Sequence, residues 1–237
     1  MTIYYQDDAV TLHHGDCLEI LDWLEADVLV TDPPYGRNWK QGGLKAPSRP
    51  GSSPRRIAAH GNDGIANDHS TEIRDAVLNE WGGVRPTIVF GDLMLAPPSG
   101  TKLTAVYAKP LDAGLRGAIG GVRRDAEAIY LGGAFTSGIG GRSSIFRSAR
   151  PVVGNPSGLV ATSGGHPHAK PTDVLSELIN LTPPGIIADP FAGSGSTLVA
   201  AARLGRRAIG VELEEKYCEI AARRLSQGVL DFGEEPA

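Results

Sequence analysis

Two short stretches of this chain carry residue types suited to chemistry rather than packing. The first is Asp32-Pro33-Pro34-Tyr35-Gly36. Two prolines stiffen an extended turn and remove two backbone donors, which leaves carbonyl acceptors beside the Asp32 carboxylate. An acceptor pair without a competing proton can hold an NH2 group by both hydrogens. Tyr35 offers a face for stacking a planar base, and Gly36 permits close approach. At average residue usage, Asp-Pro-Pro-Tyr arises by chance in a chain of this length on the order of once in a thousand. A plain proline-rich turn is the other reading.

The second stretch is Asp189-Pro190-Phe191-Ala192-Gly193-Ser194-Gly195-Ser196-Thr197. Gly193 and Gly195 allow a tight turn with close backbone approach, and a helix is expected to begin near Ser196. The third glycine of the dinucleotide fingerprint is replaced by Leu198, and no Gly-Lys-Ser/Thr follows, so the ligand need not carry phosphate. Glu212 ends the next apolar run, 23 residues after Asp189. That spacing suits a carboxylate accepting both ribose hydroxyls. A nucleoside without phosphates fits S-adenosylmethionine. A tight strand-to-helix turn would use the same glycines.

These stretches need elements to position them. Short apolar runs at Val10–Leu12, Asp27–Val30, Thr87–Phe90, Leu103–Tyr107, Ala128–Leu131, Ile186–Ala188 and Ala208–Val211 suit parallel strands covered on both faces. Helical spacing appears over Cys17–Glu25 (Leu18, Leu21, Leu24), over Thr71–Trp81, after Thr172 as N-cap (Val174, Leu175, Leu178, Ile179), and at Tyr217, Ile220, Ala221 and Leu225. Strands alternating with helices predict an α/β sheet. Ligands of such sheets bind beyond the carboxyl ends of the strands. Four acids follow four of the runs there: Asp16, Asp32, Asp189 and Glu212. Gly91-Asp92 competes with Asp16, and Lys109-Pro110 ends another strand beside the expected cleft. Residues 37–69 and 132–165 read as long loops, and the tail from Gln227 as frayed.

The composition sets limits. At 237 residues, with 41% hydrophobic content, the chain is long enough for one large domain. No apolar run approaches the ~18 residues of a membrane span, and the first residues lack the features of a signal peptide. Two distant cysteines form no zinc pattern, so no metal is expected, and the compartment reads as reducing and cytoplasmic. Net charge is −4, yet Arg37, Lys40, Lys45, Arg49, Arg55 and Arg56 are six cations in twenty residues without an acid. Arg142, Arg147, Arg150 and Lys170 lie in a second acid-free tract. Such tracts make either solvated loops or a polyanion-binding face.

With these motifs in hand, the sequence resembles the amino-group DNA methyltransferases, adenine-N6 and cytosine-N4, which use S-adenosylmethionine. Asp32-Pro33-Pro34-Tyr35 looks like the family's catalytic motif and Asp189–Thr197 like its cofactor loop. Glu212 looks like the ribose ligand. Gly15-Asp16-Cys17 resembles the segment touching the cofactor adenine. His166-Pro167-His168-Ala169-Lys170-Pro171 resembles the motif beside the methionine end. The catalytic motif precedes the cofactor loop, which is the permuted order of the β group.

The resemblance implies a Rossmann-like α/β fold, a mostly parallel sheet with helices on both faces and permuted motif order. Residues 1–131 would form the catalytic half, 132–165 the target-recognition insertion, 166–226 the cofactor half and 227–237 a tail. It implies catalytic roles for Asp32, Pro33, Pro34 and Tyr35. It implies cofactor contacts from Asp16, Cys17, Asp189, Phe191, Gly193, Gly195, Ser196, Thr197, Glu212 and Lys170. Arg37, Lys40, Lys45, Arg55, Arg56, Arg142 and Arg147 would touch double-stranded DNA. The expected activity is site-specific methylation of adenine N6 after base flipping. Cytosine-N4 methylation, action on RNA or a protein amide, and an inactive DNA-binding or cofactor-sensing protein are the alternatives. A homodimer or a restriction endonuclease partner is compatible with this reading, and neither is implied by it.

Overall fold

A computed structural model describes residues 2–37, 68–109, 120–122, 124–135, 140–148 and 169–230. Nine strands make one sheet: β1 (Thr2–Gln6), β2 (Val10–His14), β3 (Val28–Thr31), β4 (Thr87–Gly91), β5 (Thr101–Ala108), β6 (Ala126–Gly132), β7 (Ile145–Arg147), β8 (Ile187–Asp189) and β9 (Ala208–Glu212). Their order across the sheet is β1-β2-β9-β8-β3-β4-β6-β5-β7. The five neighbours β2, β9, β8, β3 and β4 run parallel to one another. β6 runs against β4 and β5, while β7 runs with β5. Only β1 and β6 therefore oppose the common direction among the described strands.

The central strands are buried on both faces, as their continuous apolar runs require. In β3 all four residues are buried. Val28 and Val30 face one layer, with Val174, Leu175 and Leu178 of α2 (Thr172–Ile179), Leu198 of α3 (Ser196–Arg203) and Ala221 of α4 (Glu215–Leu230). Leu29 faces the other, with Val77 and Trp81 of α1 (Glu72–Trp81) and Trp23 of a short 3-10 turn, Asp22–Glu25. Helices thus cover both faces of a mostly parallel sheet, the fold expected from the alternation of runs. Among the described residues no helix is long and apolar enough to cross a membrane.

Four expectations are corrected. Cys17–Glu25 is not an α-helix with a leucine face: Leu18 and Leu21 are exposed, and Cys17, Ile20 and Trp23 point inward at three-residue spacing. The helix after Lys170 has Pro171 at its N-cap and Thr172 inside it, without a side-chain cap bond. Residues 132–165 are not wholly loop, because Ile145–Arg147 pairs with β5. The C-terminal helix continues past Gln227 to Leu230. Strands β1 and β7 lie at the sheet edges, where half-exposed residues replace the buried apolar run that marks an inner strand.

Candidate functional site

Parallel neighbours end at the same edge. The sheet order therefore places Asp16, Glu212, Asp189, Asp32 and Asp92 in sequence along one rim, after β2, β9, β8, β3 and β4. The Gly15 N–H donates to the Glu212 carbonyl at 2.9 Å, which ties the first two tips together. Asp16 accepts the Leu18 N–H at 2.8 Å and so shapes its own turn.

The glycine loop lies between β8 and α3. Gly195 has φ 76°, and a Cβ there would meet the Ala221 methyl at 2.8 Å, so conformation and space both demand glycine. Glu212 reaches over the loop. Its Oε2 accepts the Gly193 N–H at 2.8 Å and its Oε1 the Glu214 N–H at 2.7 Å. Burial raises the Glu212 carboxyl above its usual range, and these backbone donors only partly offset it. Asp189 accepts the Thr31 hydroxyl at 2.7 Å and the Phe191 N–H at 3.2 Å. Burial still pushes its carboxyl up to about 7, against hydrogen bonds from Thr31 and Thr197. The buried Ser196 and Thr197 hydroxyls hold the loop from within: Ser196 accepts from Arg224 at 3.1 Å, and Thr197 bonds Asp189. Arg224, on α4, also donates to the Ser194 carbonyl at 2.6 Å. Cys17 is a core residue whose carbonyl accepts the Trp23 indole N–H at 2.9 Å. Burial pushes both thiols, Cys17 and Cys218, up to about 12, far from a thiolate nucleophile.

Asp32 lies beyond β3, the strand next to β8. The Tyr35 hydroxyl donates to its Oδ1 at 2.8 Å, and the Lys170 ammonium pairs with its Oδ2. Lys170 also lies 3.3 Å from Oε2 of Glu127, which is paired in turn with Lys109. Its ammonium sits above the rings of Phe90 and Tyr35, at 5.1 and 5.5 Å. Burial alone would lower the Lys170 pKa, but Asp32 and Glu127 outweigh it and hold the group charged. Burial raises the Tyr35 phenol well above its usual value, reinforced by the same two carboxylates. Pro33 is buried and Pro34 half-buried. Behind the turn, the Asp68 carboxylate accepts the N–H groups of Gly36 and Arg37 at 2.7 and 3.1 Å.

The sequence-predicted residues divide accordingly. Asp16, Asp189, Gly193, Gly195 and Glu212 share the rim, with Phe191 packed beneath. Lys170, expected at the cofactor, instead engages Asp32. Arg37 pairs with Asp92 at 2.5 Å, so Asp92 belongs to the Asp32 side. Arg147 is exposed at the carboxyl end of β7, beside Ala108 and therefore at the same rim. Arg142 precedes that strand, and the register does not carry it there. Lys40, Lys45, Arg55, Arg56 and His166–His168 lie outside the described residues. Sequence reasoning missed Glu127, Asp68 and Arg224. Only Glu127 left a signal, as an acid at the head of an apolar run. Among the described residues no group of three or more His, Cys, Asp or Glu side chains could hold a metal.

A family model described as "DNA methylase", of the N6/N4 type, matches residues 91–223. A Type II methyltransferase of Lactococcus lactis subsp. cremoris, M2.LlaDCHI, is 44% identical over 68 residues, 28% of this chain and 25% of that protein. Type II methyltransferase M2.DpnII of Streptococcus pneumoniae is 46% identical over 65 residues, 27% and 24% of the two chains. The match thus spans about a quarter of each of these relatives. Among solved structures, M1.HpyAVI in complex with SAM superposes with a TM-score of 0.60 at 18% identity, covering 91% of this chain and 98% of that one. The PvuII DNA methyltransferase (cytosine-N4-specific) gives 0.59 at 15% identity, covering 94% and 88%. At these identities the likeness is one of fold.

Proposed function

The chain belongs to the N6/N4 DNA methylase family, and on that premise we propose that it methylates the N6 amine of adenine in double-stranded DNA, with S-adenosylmethionine as donor. The observation that carries the reading is adjacency. Asp32 and Asp189 end neighbouring parallel strands, so an amine acceptor and a glycine loop meet at one edge.

The donor set fits the cofactor. Asp16 and Glu212 put carboxylates on the rim above the buried Asp189, which suits a nucleoside bearing positive charge better than phosphates. Glu212 would take the ribose hydroxyls on the lone pairs its backbone donors leave, and the glycine loop would admit the methionine part. S-adenosylmethionine, when bound, supplies an electrophilic methyl group. Everything else falls to the protein. The adenine amine is a poor nucleophile because its lone pair is delocalised into the ring. Asp32 and the Pro33 carbonyl would accept its two hydrogens and favour a tetrahedral nitrogen. They would then stabilise the positive charge that grows on it as the nitrogen–carbon bond forms and the carbon–sulfur bond breaks with its electron pair left on sulfur. The methylated amine then releases its extra proton to solvent. Direct transfer needs no enzyme nucleophile, consistent with two protonated, buried cysteines. Tyr35 borders the place where a flipped base would sit.

On this reading the motif order is the permuted one of the β group, and residues 132–165 would serve as target-recognition segment. Arg147, exposed at the same rim, would contact DNA beyond β7, and the basic stretch from Arg37 to Arg56 would contact phosphates. Incubation with methyl-labelled S-adenosylmethionine and amplified, unmethylated genomic DNA, followed by digestion to nucleosides and mass spectrometry, tests the proposal. N6-methyldeoxyadenosine is expected. N4-methyldeoxycytidine would reassign the base, and no labelled nucleoside would overturn the activity.

A further inference from the structure

Glu127 is a charged residue in an unexpected place. It lies on β6, between β4 and β5, and strand alternation puts it on the same face as Ile129 and Leu131, both core residues. Its side chain is only 12% exposed. Burying a carboxylate there costs several kcal/mol unless it is paired, and a hydrophobic residue of similar volume would often be as stable or more so. Fold stability alone does not account for it.

Its partners do. Glu127 bonds to three segments that arrive from different parts of the chain. Lys109 comes from the end of the neighbouring β5, where its own N–H donates to the Asp125 carbonyl at 2.7 Å. Lys170 comes from the stretch ahead of α2. Tyr35 comes from the Asp32 turn, its hydroxyl 3.4 Å from Oε2. Lys170 and Tyr35 also contact Asp32. Among the described residues, the side chains bonded to the Asp32 carboxylate are thus also bonded to Glu127.

We infer that Glu127 is a positioning residue of the methyl-transfer centre, sharing Lys170 so that Asp32 keeps the free lone pairs it needs to receive the target amine. The inference rests on the role given to Asp32 above. Asp32, Glu127, Lys109 and Lys170 together carry no net charge. The reaction adds one positive charge to the amine, in a place of low dielectric where each uncompensated charge weighs heavily. Without Glu127 the resting centre is already positive by one. Lys170 then has a single carboxylate to pair with, and it draws on the same oxygen that must face the amine. Glu127 balances the lysines and spares Asp32. Its effect is exerted through Lys170 and Tyr35, without contact to the base.

The test uses the full chain, amplified unmethylated genomic DNA and saturating labelled S-adenosylmethionine in single-turnover assays. Glu127→Gln keeps the shape and removes the charge. It should slow transfer roughly 10–100-fold, the scale of losing a group that orients a site residue, while calorimetry finds cofactor affinity within about twofold, since 1.4 kcal/mol would already be tenfold. Pairing it with Lys109→Met restores neutrality and should recover part of the lost rate. A residue that merely holds the fold would show the loss and its recovery in the thermal unfolding midpoint and leave the single-turnover rate of the folded Glu127→Gln protein unchanged. A Glu127→Gln rate equal to wild type, or a double variant slower than the single one, overturns the inference. Should Glu127→Gln not fold, the neutral pair is measured alone, and a loss there greater than about 100-fold overturns the inference. Asp32→Ala run alongside separates the two levels: if it transfers methyl at the wild-type rate, the reading of Asp32 fails, whereas an inactive Asp32→Ala with an unimpaired Glu127→Gln sinks the Glu127 inference alone.

Discussion

The two halves of the rim are built by different physics. Around Asp189, Gly193 and Glu212, carboxylates are met by backbone N–H groups and hydroxyls, and burial raises their pKa values. Around Asp32, carboxylates are met by lysines, and charge holds the Lys170 ammonium on while depressing Glu127. The first half is a fixed, partly anionic cradle made of short-range contacts. The second is a balanced ionic network whose members come from β3, β5, β6 and the approach to α2. A cradle is suited to holding one cofactor in one pose. A balanced network is suited to answering a charge that appears during reaction, because its dipoles and ions are already oriented.

Substitutions should break the halves in different ways. The largest effect is expected from Asp32→Ala. Losing an acceptor strengthened in the transition state should cost roughly 10²–10³ or more in single-turnover rate, with cofactor affinity changed by no more than a few fold in calorimetry. Next comes Glu212→Ala, which should weaken S-adenosylmethionine binding by about 1.5–3 kcal/mol, the range for hydrogen bonds to a charged acceptor. Titration calorimetry with unchanged affinity would move the ribose contact elsewhere. Arg224→Met should cost less, about 1 kcal/mol or roughly fivefold in Kd. Arg224 braces the glycine loop through Ser194 and Ser196, away from Asp32, so kcat at saturating cofactor should hold. A fall in kcat with Kd intact would place Arg224 on the wrong side of the comparison.

A last difference concerns pH. The Asp189 carboxyl is raised to about 7 in the fold, against about 4 in an unfolded chain. The folded state therefore binds the proton more tightly. Its stabilising contribution is full below about pH 4 and is lost as pH rises through about 7. Thermal unfolding of cofactor-free protein should show a midpoint that falls between about pH 5 and about pH 8, and Asp189→Asn should flatten that fall. Equal slopes for the two proteins would mean that Asp189 is not protonated in the fold.

The same contrast explains what could be read before the structure. The inner strands announced themselves through apolar runs, because a parallel strand covered on both faces has no room for polar residues. The geometry of the glycine loop was legible because its residues are contiguous: Asp189 to Thr197 is one turn, and Glu212 ends the next strand. Asp32 to Tyr35 was legible for the same reason. The network was not. Glu127 meets Tyr35 across 92 positions, and Lys170 meets Asp32 across 138, and no local spacing encodes such a meeting. Lys170 was singled out as a cofactor contact, but its pairing with Asp32 was not foreseen, since adjacency in a motif says nothing about which carboxylate a lysine will reach. Cys17–Glu25 misled because its three leucines keep helical spacing, yet Leu18 and Leu21 face solvent while Ile20 and Trp23 fill the core. The strands β1 and β7 escaped because, among the described strands, each is flanked on one side alone, which removes the selection for unbroken apolarity.

The separation of the two halves is tested most directly by measuring two quantities, single-turnover methyl transfer at saturating cofactor and S-adenosylmethionine affinity, on two variants, Asp32→Ala and Glu212→Ala. A cradle beside a reacting network predicts crossed fingerprints. Asp32→Ala should lose transfer and keep affinity, and Glu212→Ala should lose affinity yet recover most of its transfer once cofactor is raised to saturation. If both variants lose rate and affinity together and in proportion, the rim acts as one unit and the division is wrong.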